Sequence, residues 1–271
     1  MGMMRAARVA ACLVLLPAWT GAAELRQPTL DDFNQHIRTT EARLAEQNSG
    51  KRSFLWVDET PQRRALVRQG QVVAQFYGGS GPQRVRDGLI HDWIGAVFVP
   101  GATLDKALAL LRDYDNHHSI YQPEVMASKT LEHDGDHYRV YLRLLKKKLI
   151  TVVLNTEHDV QDFPLDRTRL YSRSYSTKIA EVENHGQPGE RELSAGKDDG
   201  FLWRLNSYWR MEERDGGVYL ECEAISLTRD IPTGLGWMIE PIIRDLPKES
   251  LIRTLDSTRR ALNRGLFNRG Q

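Results

Sequence analysis

The chain has 271 residues with 37 basic and 36 acidic side chains, and its net charge of +1 at pH 7 excludes the strongly basic field that a nucleic-acid partner requires. Its composition, 41% hydrophobic and 27% charged, is that of an ordinary globular protein. A chain of this length can bury a core that needs neither a metal nor a disulfide for folding.

Residues 1–23 have the pattern of a secretory signal peptide. Two arginines precede an apolar run at residues 9–19, and three small residues that end at Ala23 follow it. The apolar run is too short to span a bilayer. We therefore expect cleavage near Ala23 and a periplasmic or secreted location. A helix that is retained as an N-terminal anchor is the alternative.

The chain contains two cysteines, Cys12 and Cys222. Cys12 lies inside the apolar run rather than after it, which speaks against a lipoprotein. Cleavage would remove Cys12 and leave Cys222 as the only cysteine of the mature chain, so no internal disulfide could form. Cleavage would also remove two arginines and no acidic residue, which leaves the mature chain close to neutral.

Residues 24–87 are predicted to form an N-terminal extension. Its helix is expected to begin at Thr29, a capping residue with two acidic residues after it, and to end at residues 48–50. Apolar runs with a glycine turn then predict two strands, and a stretch rich in Gly, Pro and Arg predicts a linker. The two strands are placed at residues 53–57 and 65–77, and the linker at residues 78–88.

Residues 88–271 are predicted to form a larger domain. A first strand at residues 89–99 precedes a helix capped by Thr103, and residues 113–123 are irregular or hold a second short helix. Six further strands are predicted at residues 124–131, 137–145, 149–160, 167–179, 200–213 and 218–228.

Turn residues and a long helix complete an α+β layout. Asp-Gly pairs at residues 134–135 and 215–216 indicate two-residue hairpins, so the sheet is predicted to be antiparallel. Residues 184–199 are predicted to be a long charged loop. The last part of the chain is predicted to be a long helix with a kink or restart at Pro247. Helices on one face of an antiparallel sheet define the α+β class.

The turn at residues 215–216 fixes the register of the last hairpin. The predicted pairs are Met211–Leu220, Trp209–Cys222, Ser207–Ala224 and Leu205–Ser226 on one face, and Arg210–Glu221 and Tyr208–Glu223 on the other. The first face is apolar with small residues among large ones, and Trp203 is expected on it. The second face is charged, and its pairs are interpreted as exposed cross-strand ion pairs.

The apolar face can be interpreted in two ways. The C-terminal helix offers Leu246 and Leu251 to it, and helical periodicity alone favours a filled core between sheet and helix. Large residues beside small ones also leave room for a hollow. The sequence pattern alone does not decide between the two.

The order of these elements and two short motifs resemble START-like domains of the SRPBCC superfamily, which includes pollen-allergen-like proteins, polyketide cyclases and coenzyme Q-binding proteins. The motifs are a helix at residues 104–114 that runs into the sequence DNHHSIYQP, and the sequence GLGW at residues 234–237. The resemblance covers residues 88–265. It implies a helix-grip fold, in which a curved antiparallel sheet of about seven strands wraps around the C-terminal helix and encloses a cavity.

The resemblance also implies a ligand class, because most members hold lipids, sterols, quinones or other hydrophobic molecules. Such pockets are apolar with a few polar groups that fix orientation. The residues predicted to line the pocket are Trp203, Leu205, Ser207, Trp209, Cys222, Ala224, Ile243, Leu246 and Leu251. Cys222 is expected to be buried and unreactive.

No catalytic residue, cofactor or metal is assigned from the sequence. No Ser-His-Asp, phosphate-loop or dinucleotide signature is present. The adjacent His117 and His118 diverge, and His133 and His137 flank a turn, whereas zinc requires three or four convergent ligands. His117, His118, Tyr121, Glu221 and Glu223 are acid/base candidates, with the two glutamates explained by ion pairs.

A lysine triplet is predicted at the tip of one hairpin. Lys146, Lys147 and Lys148 could contact an anionic membrane surface, and a solvated turn is the alternative.

Three functions are compatible with the sequence. The first is an exported carrier or sensor of a hydrophobic ligand. The second is an enzyme of the polyketide cyclase or aromatase type on the same fold. The third is an interaction scaffold with a filled core, in which residues 24–87 fill the groove.

Overall fold

The computed structural model describes residues 24–147, 151–230 and 236–265, and it describes the side chains of the last segment from Leu246 onward. The predicted signal peptide, Lys148 and Ile243 therefore lie outside the described side chains. The helices are α1 (Gln27–Asn48), α2 (Pro61–Arg68), α3 (Leu104–Arg112), α4 (His117–Ile120) and α5 (Gly236–Arg264). No helix within the described ranges is long and apolar enough to cross a membrane.

A ten-stranded antiparallel sheet organises the chain. Its strands are β1 (Val73–Phe76), β2 (Gln83–Val85), β3 (Gly88–Pro100), β4 (Val125–Asp134), β5 (His137–Lys147), β6 (Thr151–Pro164), β7 (Arg169–Glu183), β8 (Arg191–Glu192), β9 (Arg204–Arg214) and β10 (Gly217–Arg229). The order is β1-β3-β10-β9-β7-β6-β5-β4, with β2 on β3 and β8 on β7. The seven strands predicted for the larger domain are all present. Strand β1 is the second half of the strand predicted at residues 65–77, and β2 and β8 are additional.

The predicted register of the β9–β10 hairpin is confirmed. Trp209 pairs with Cys222, Ser207 with Ala224, and Arg210 with Glu221. Alternation along these strands divides the sheet into two faces. We call the face of Trp209, Cys222 and Ala224 the inner face and the face of Arg210 and Glu221 the outer face.

Helix α5 covers part of the inner face. Leu251 and Leu255 are buried in one cluster with Val97 of β3 and Leu220 of β10. Gly95 permits this close approach, because a Cβ there would lie 2.9 Å from Leu255 Cδ1. The predicted restart at Pro247 is wrong, since α5 is continuous through it. A curved antiparallel sheet that packs a long C-terminal helix is the helix-grip fold that the resemblance implied.

The N-terminal extension covers the outer face rather than the groove. Phe33, Ile37 and Leu44 of α1 cluster with Ile90, Ile225 and Leu227 of the sheet. Residues 54–57 cluster with Ile94, Phe98 and Tyr219. Both faces of the central strands are therefore buried, and the scaffold hypothesis in which the extension fills the groove does not fit.

Several predicted elements of the extension differ from the structure. Helix α1 begins at Gln27, with a proline in its first turn, and Thr29 lies inside the helix, fully buried. The predicted strand at residues 53–57 is a buried irregular segment that enters a 3-10 turn, Trp56–Glu59. The first half of the next predicted strand is helix α2, because Thr60 caps it and accepts a hydrogen bond from the Arg63 amide.

Candidate ligand-binding cavity

A cavity of about 820 Å³ lies between the inner face and the helices α3 and α5. Its volume is within the range of small-molecule pockets. Leu108 and Leu111 of α3, Leu142 and Leu144 of β5, and Leu246 and Leu251 of α5 contribute apolar walls. This cavity fits the hollow alternative better than the filled core.

Small side chains in one cross-strand row keep the cavity open. Ala224 of β10 pairs with Ser207 of β9, and Ser207 pairs with Ser174 of β7. All three line the cavity. They lie in the middle of a sheet whose two faces are covered, yet they are only partly buried. A leucine or phenylalanine at any of these positions would occupy the space.

Seven of the nine residues predicted to line the pocket do line the cavity. They are Leu205, Ser207, Trp209, Cys222, Ala224, Leu246 and Leu251. Trp203 does not, because strand β9 begins only at Arg204 and the alternation does not extend to Trp203. Its side chain packs in the outer-face cluster with Phe33 and Ile37 of α1. Ile243 lies outside the described side chains.

Two buried histidines on the inner face add neutral polar groups to the lining. His91 of β3 bonds to the Thr228 hydroxyl over 3.1 Å, and His158 of β6 bonds to the Thr156 hydroxyl over 3.0 Å. Burial lowers the pKa of each imidazole to about 4. Both are therefore uncharged at neutral pH.

The charged groups that face the cavity have partners within the protein. Arg112 Nε donates to Asp162 over 2.7 Å, and the same guanidinium donates to Asp136. Lys146 Nζ donates to Ser250 Oγ of α5 over 2.7 Å and lies 3.7 Å from Glu124. These contacts fix β5 and β6 against the helices.

The placement of Lys146 does not support the predicted membrane contact. Its side chain lines the cavity and bonds to α5, whereas a solvated or membrane-facing turn requires it to point outward. Burial lowers its pKa. Lys147 is exposed, and Lys148 lies outside the described residues.

The charged pairs of the outer face are buried rather than exposed, which corrects the sequence interpretation. The side chains of Arg210 and Glu221 are each 1% exposed and lie 2.5 Å apart. Glu223 is 2.5 Å from Arg43, which belongs to α1. Burial raises the pKa of Glu223 to about 7, and Asp92 adds to the effect. Both glutamates are separated from the cavity by the sheet.

The acid/base candidates that do reach the cavity are occupied by structural hydrogen bonds. His117 Nε2 bonds to the Leu111 carbonyl over 3.0 Å, and burial lowers its pKa to about 4. The Tyr121 hydroxyl bonds to Thr258 over 3.1 Å, and burial raises its pKa to about 12. Burial also raises the pKa of Cys222, so its reactive thiolate form is disfavoured. Among the described residues no group of three His, Cys, Asp or Glu side chains could hold a metal ion.

Sequence reasoning missed the part of the lining that comes from β6 and β7. His158, Ser172 and Ser174 face the cavity, but no two-residue turn fixes the register of these strands. The pairing also shifts between Glu157 and His158. A bulge of this kind moves the following residues to the opposite face, so simple alternation fails there.

No protein-family model matches the sequence, and no curated protein matches it. A STAR-related lipid transfer protein from Xanthomonas axonopodis is 17% identical, with 69% of this chain and 99% of that chain covered at a TM-score of 0.45. An aromatase/cyclase from Streptomyces is 14% identical, with coverages of 67% and 98% and a TM-score of 0.42. A START superfamily protein from Mycobacterium smegmatis is 11% identical, with coverages of 64% and 97% and a TM-score of 0.42.

Proposed function

We propose that this protein binds a small hydrophobic molecule in the cavity between the inner face and α5, as a carrier or sensor that acts outside the cytoplasm. The observation that supports binding is the hollow itself, which small side chains keep open and apolar walls enclose. Each methylene that enters such a site gains about 0.8 kcal/mol. The signal-peptide pattern of residues 1–23 supports export.

The direct test is native mass spectrometry of the protein purified from its producing cells, followed by organic extraction. We expect a discrete added mass that extracts as a hydrophobic compound, on a chain whose own mass corresponds to cleavage near Ala23. An intact N-terminus would contradict export alone. A clean ligand-free mass, with no uptake after incubation with a lipid extract, would contradict the binding proposal.

The substitution Ala224→Trp is expected to reduce the ligand-bound fraction at least about tenfold, because the indole would occupy the middle of the cavity. The fold should tolerate it, since the new side chain enters empty space rather than a packed core. The matched control is Ala45→Trp on the exposed face of α1. Equal ligand occupancy in the Ala224→Trp variant and in the control, by the same mass measurement, would show that the ligand lies elsewhere.

One observation favours the cyclase or aromatase alternative. Tyr114, His117 and Tyr121 lie together on the lining, with ring centroids of neighbours 4.9 and 5.0 Å apart, beside Arg112. A cyclising dehydration would release one water from the bound molecule. Recovery of the extracted ligand with unchanged mass after incubation with fresh protein supports the carrier, and a product lighter by one water supports the enzyme.

A further inference from the structure

Four serines form a band across the floor of the cavity. Ser172 and Ser174 lie on β7, Ser207 on β9 and Ser226 on β10, and all four line the cavity. Ser174 pairs directly with Ser207. Neighbouring strands are about 4.8 Å apart, so the hydroxyl band extends about 10 Å across the sheet.

The hydroxyl band has unused hydrogen-bonding capacity. No hydrogen bond joins any of the four hydroxyls to another described residue, and none of the four serines has a further interaction. An unpaired hydroxyl in an apolar enclosure is costly unless another molecule supplies the partner. Each hydroxyl can both donate and accept, so the band can bind hydroxyl and carbonyl groups alike.

His91 lies beside the band but adds no accessible acceptor to it. It is fully buried, lines the cavity and pairs across the strands with Ser226. Its Nε2 bonds to Thr228 Oγ1, and that hydroxyl in turn donates to the Arg229 carbonyl. Its Nδ1 has no hydrogen-bond partner, but this atom is fully buried and does not reach the cavity surface, so it offers a ligand no acceptor.

The described lining provides no unpaired cation for an anionic head group. Arg112 is held by Asp136 and Asp162, Lys146 by Ser250 and Glu124, and Arg229 by the Asp199 carbonyl and a further contact. Opposite the hydroxyl band, α3 and β5 present leucine and valine side chains. The lining therefore suits an uncharged molecule with a hydrophobic side and an oxygen-bearing side.

We propose that the ligand is a neutral hydrophobic molecule that carries several hydroxyl or carbonyl oxygens, which bind along the hydroxyl band. This assignment rests on the proposed function and narrows it. It excludes fatty acids, because their carboxylate would need a free cation. It also excludes plain hydrocarbons, because they would leave the hydroxyls unpaired.

The test compares three ligands: 1,8-dihydroxyanthraquinone and 1-aminoanthracene, which are titrated by fluorescence, and palmitate, which is titrated by displacement of bound 1-aminoanthracene. The variant is Ser174→Ala/Ser207→Ala, and its matched control is Ser53→Ala/Ser194→Ala at two exposed serines. We expect the wild-type protein to bind the dihydroxyanthraquinone more tightly than palmitate. We expect the cavity variant to weaken dihydroxyanthraquinone binding about tenfold and to change 1-aminoanthracene binding less than about twofold.

Each contrary outcome has a separate meaning. Unchanged dihydroxyanthraquinone binding in the cavity variant, or equal weakening of both aromatic probes, would overturn the hydroxyl band as the recognition element. Tighter binding of palmitate would overturn the neutral ligand class while the cavity proposal stands. Failure of the wild-type protein to bind any of the three probes would remove the proposed function and the ligand assignment with it.

Discussion

Replacement of Arg210 by methionine should lower the free energy of unfolding by about 3–5 kcal/mol. The Arg210 guanidinium lies 2.5 Å from Glu221, and both side chains are 1% exposed. It also donates to the Gln47 side chain of α1, so it joins the sheet to the N-terminal extension. Methionine fills much of the same volume but leaves the Glu221 carboxylate buried without its counter-charge.

Urea denaturation at pH 7 would measure this effect. The matched control is Arg191→Met, which removes an exposed pair with Glu183 and should cost less than about 1 kcal/mol. The double variant Arg210→Met/Glu221→Gln should recover much of the loss, because it buries no unpaired charge and keeps an acceptor for the Val57 amide. A loss for Arg210→Met no larger than that for Arg191→Met would show that the pair does not stabilise the fold.

On acidification from pH 7 to pH 4, three buried histidines should each lower the free energy of unfolding. Burial lowers the pKa of His91, His117 and His158 to about 4, whereas an unfolded histidine titrates near 6.5. Between these values the unfolded chain binds protons that the native protein does not, so stability falls as the pH falls. Each histidine contributes about 3 kcal/mol over this interval.

Groups whose pKa is raised act in the opposite direction, and they include Glu181, Glu212 and Glu221 besides Glu223 and His36. The pKa of Glu223 is raised to about 7 and that of His36 is also raised, so both groups add stability at low pH that is lost as the pH rises. An unfolded glutamate titrates near 4.3, so Glu223 offsets roughly one of the three histidines.

Neighbouring histidines provide a matched pair for this measurement. His117 is buried and His118 is exposed. His117→Gln should reduce the difference in unfolding free energy between pH 7 and pH 4 by about 3 kcal/mol, and His118→Gln should leave it nearly unchanged. The same pH dependence in both variants would mean that His117 is protonated in the native protein.

The register of the β9–β10 hairpin was predictable because its two-residue turn leaves one pairing that separates apolar from charged side chains. The burial of the charged side was not, because it depends on a partner far away in sequence. Arg43 and Glu223 are 180 residues apart in the sequence, and no local sequence pattern predicts their contact. The interpretation of Arg210 and Glu221 as an exposed pair failed for this reason.

The extension was the least predictable part of the fold. The apolar residues 54–57 suggest a strand, but they are buried on the outer face without pairing to another strand. Thr60 and Pro61, a capping residue followed by a proline, indicate that a helix begins there. This start signal outweighs the strand-like pattern of the apolar residues around it. Whether the inner face is hollow could not be predicted from periodicity, because it depends on how closely α5 approaches the sheet.

The burial of both faces of the sheet restricts how this pocket can change during evolution. Along β10, Cys222 and Ala224 face the cavity. The alternating residues face the other way, with Glu223 toward Arg43 of α1 and Glu221 toward the buried segment at residues 54–57. Loss or gain of a single residue in this strand would place carboxylates in the cavity and small apolar groups among arginines. We therefore expect new ligand preferences to arise by substitutions that change the size or polarity of individual side chains, and insertions and deletions in β10 to be poorly tolerated.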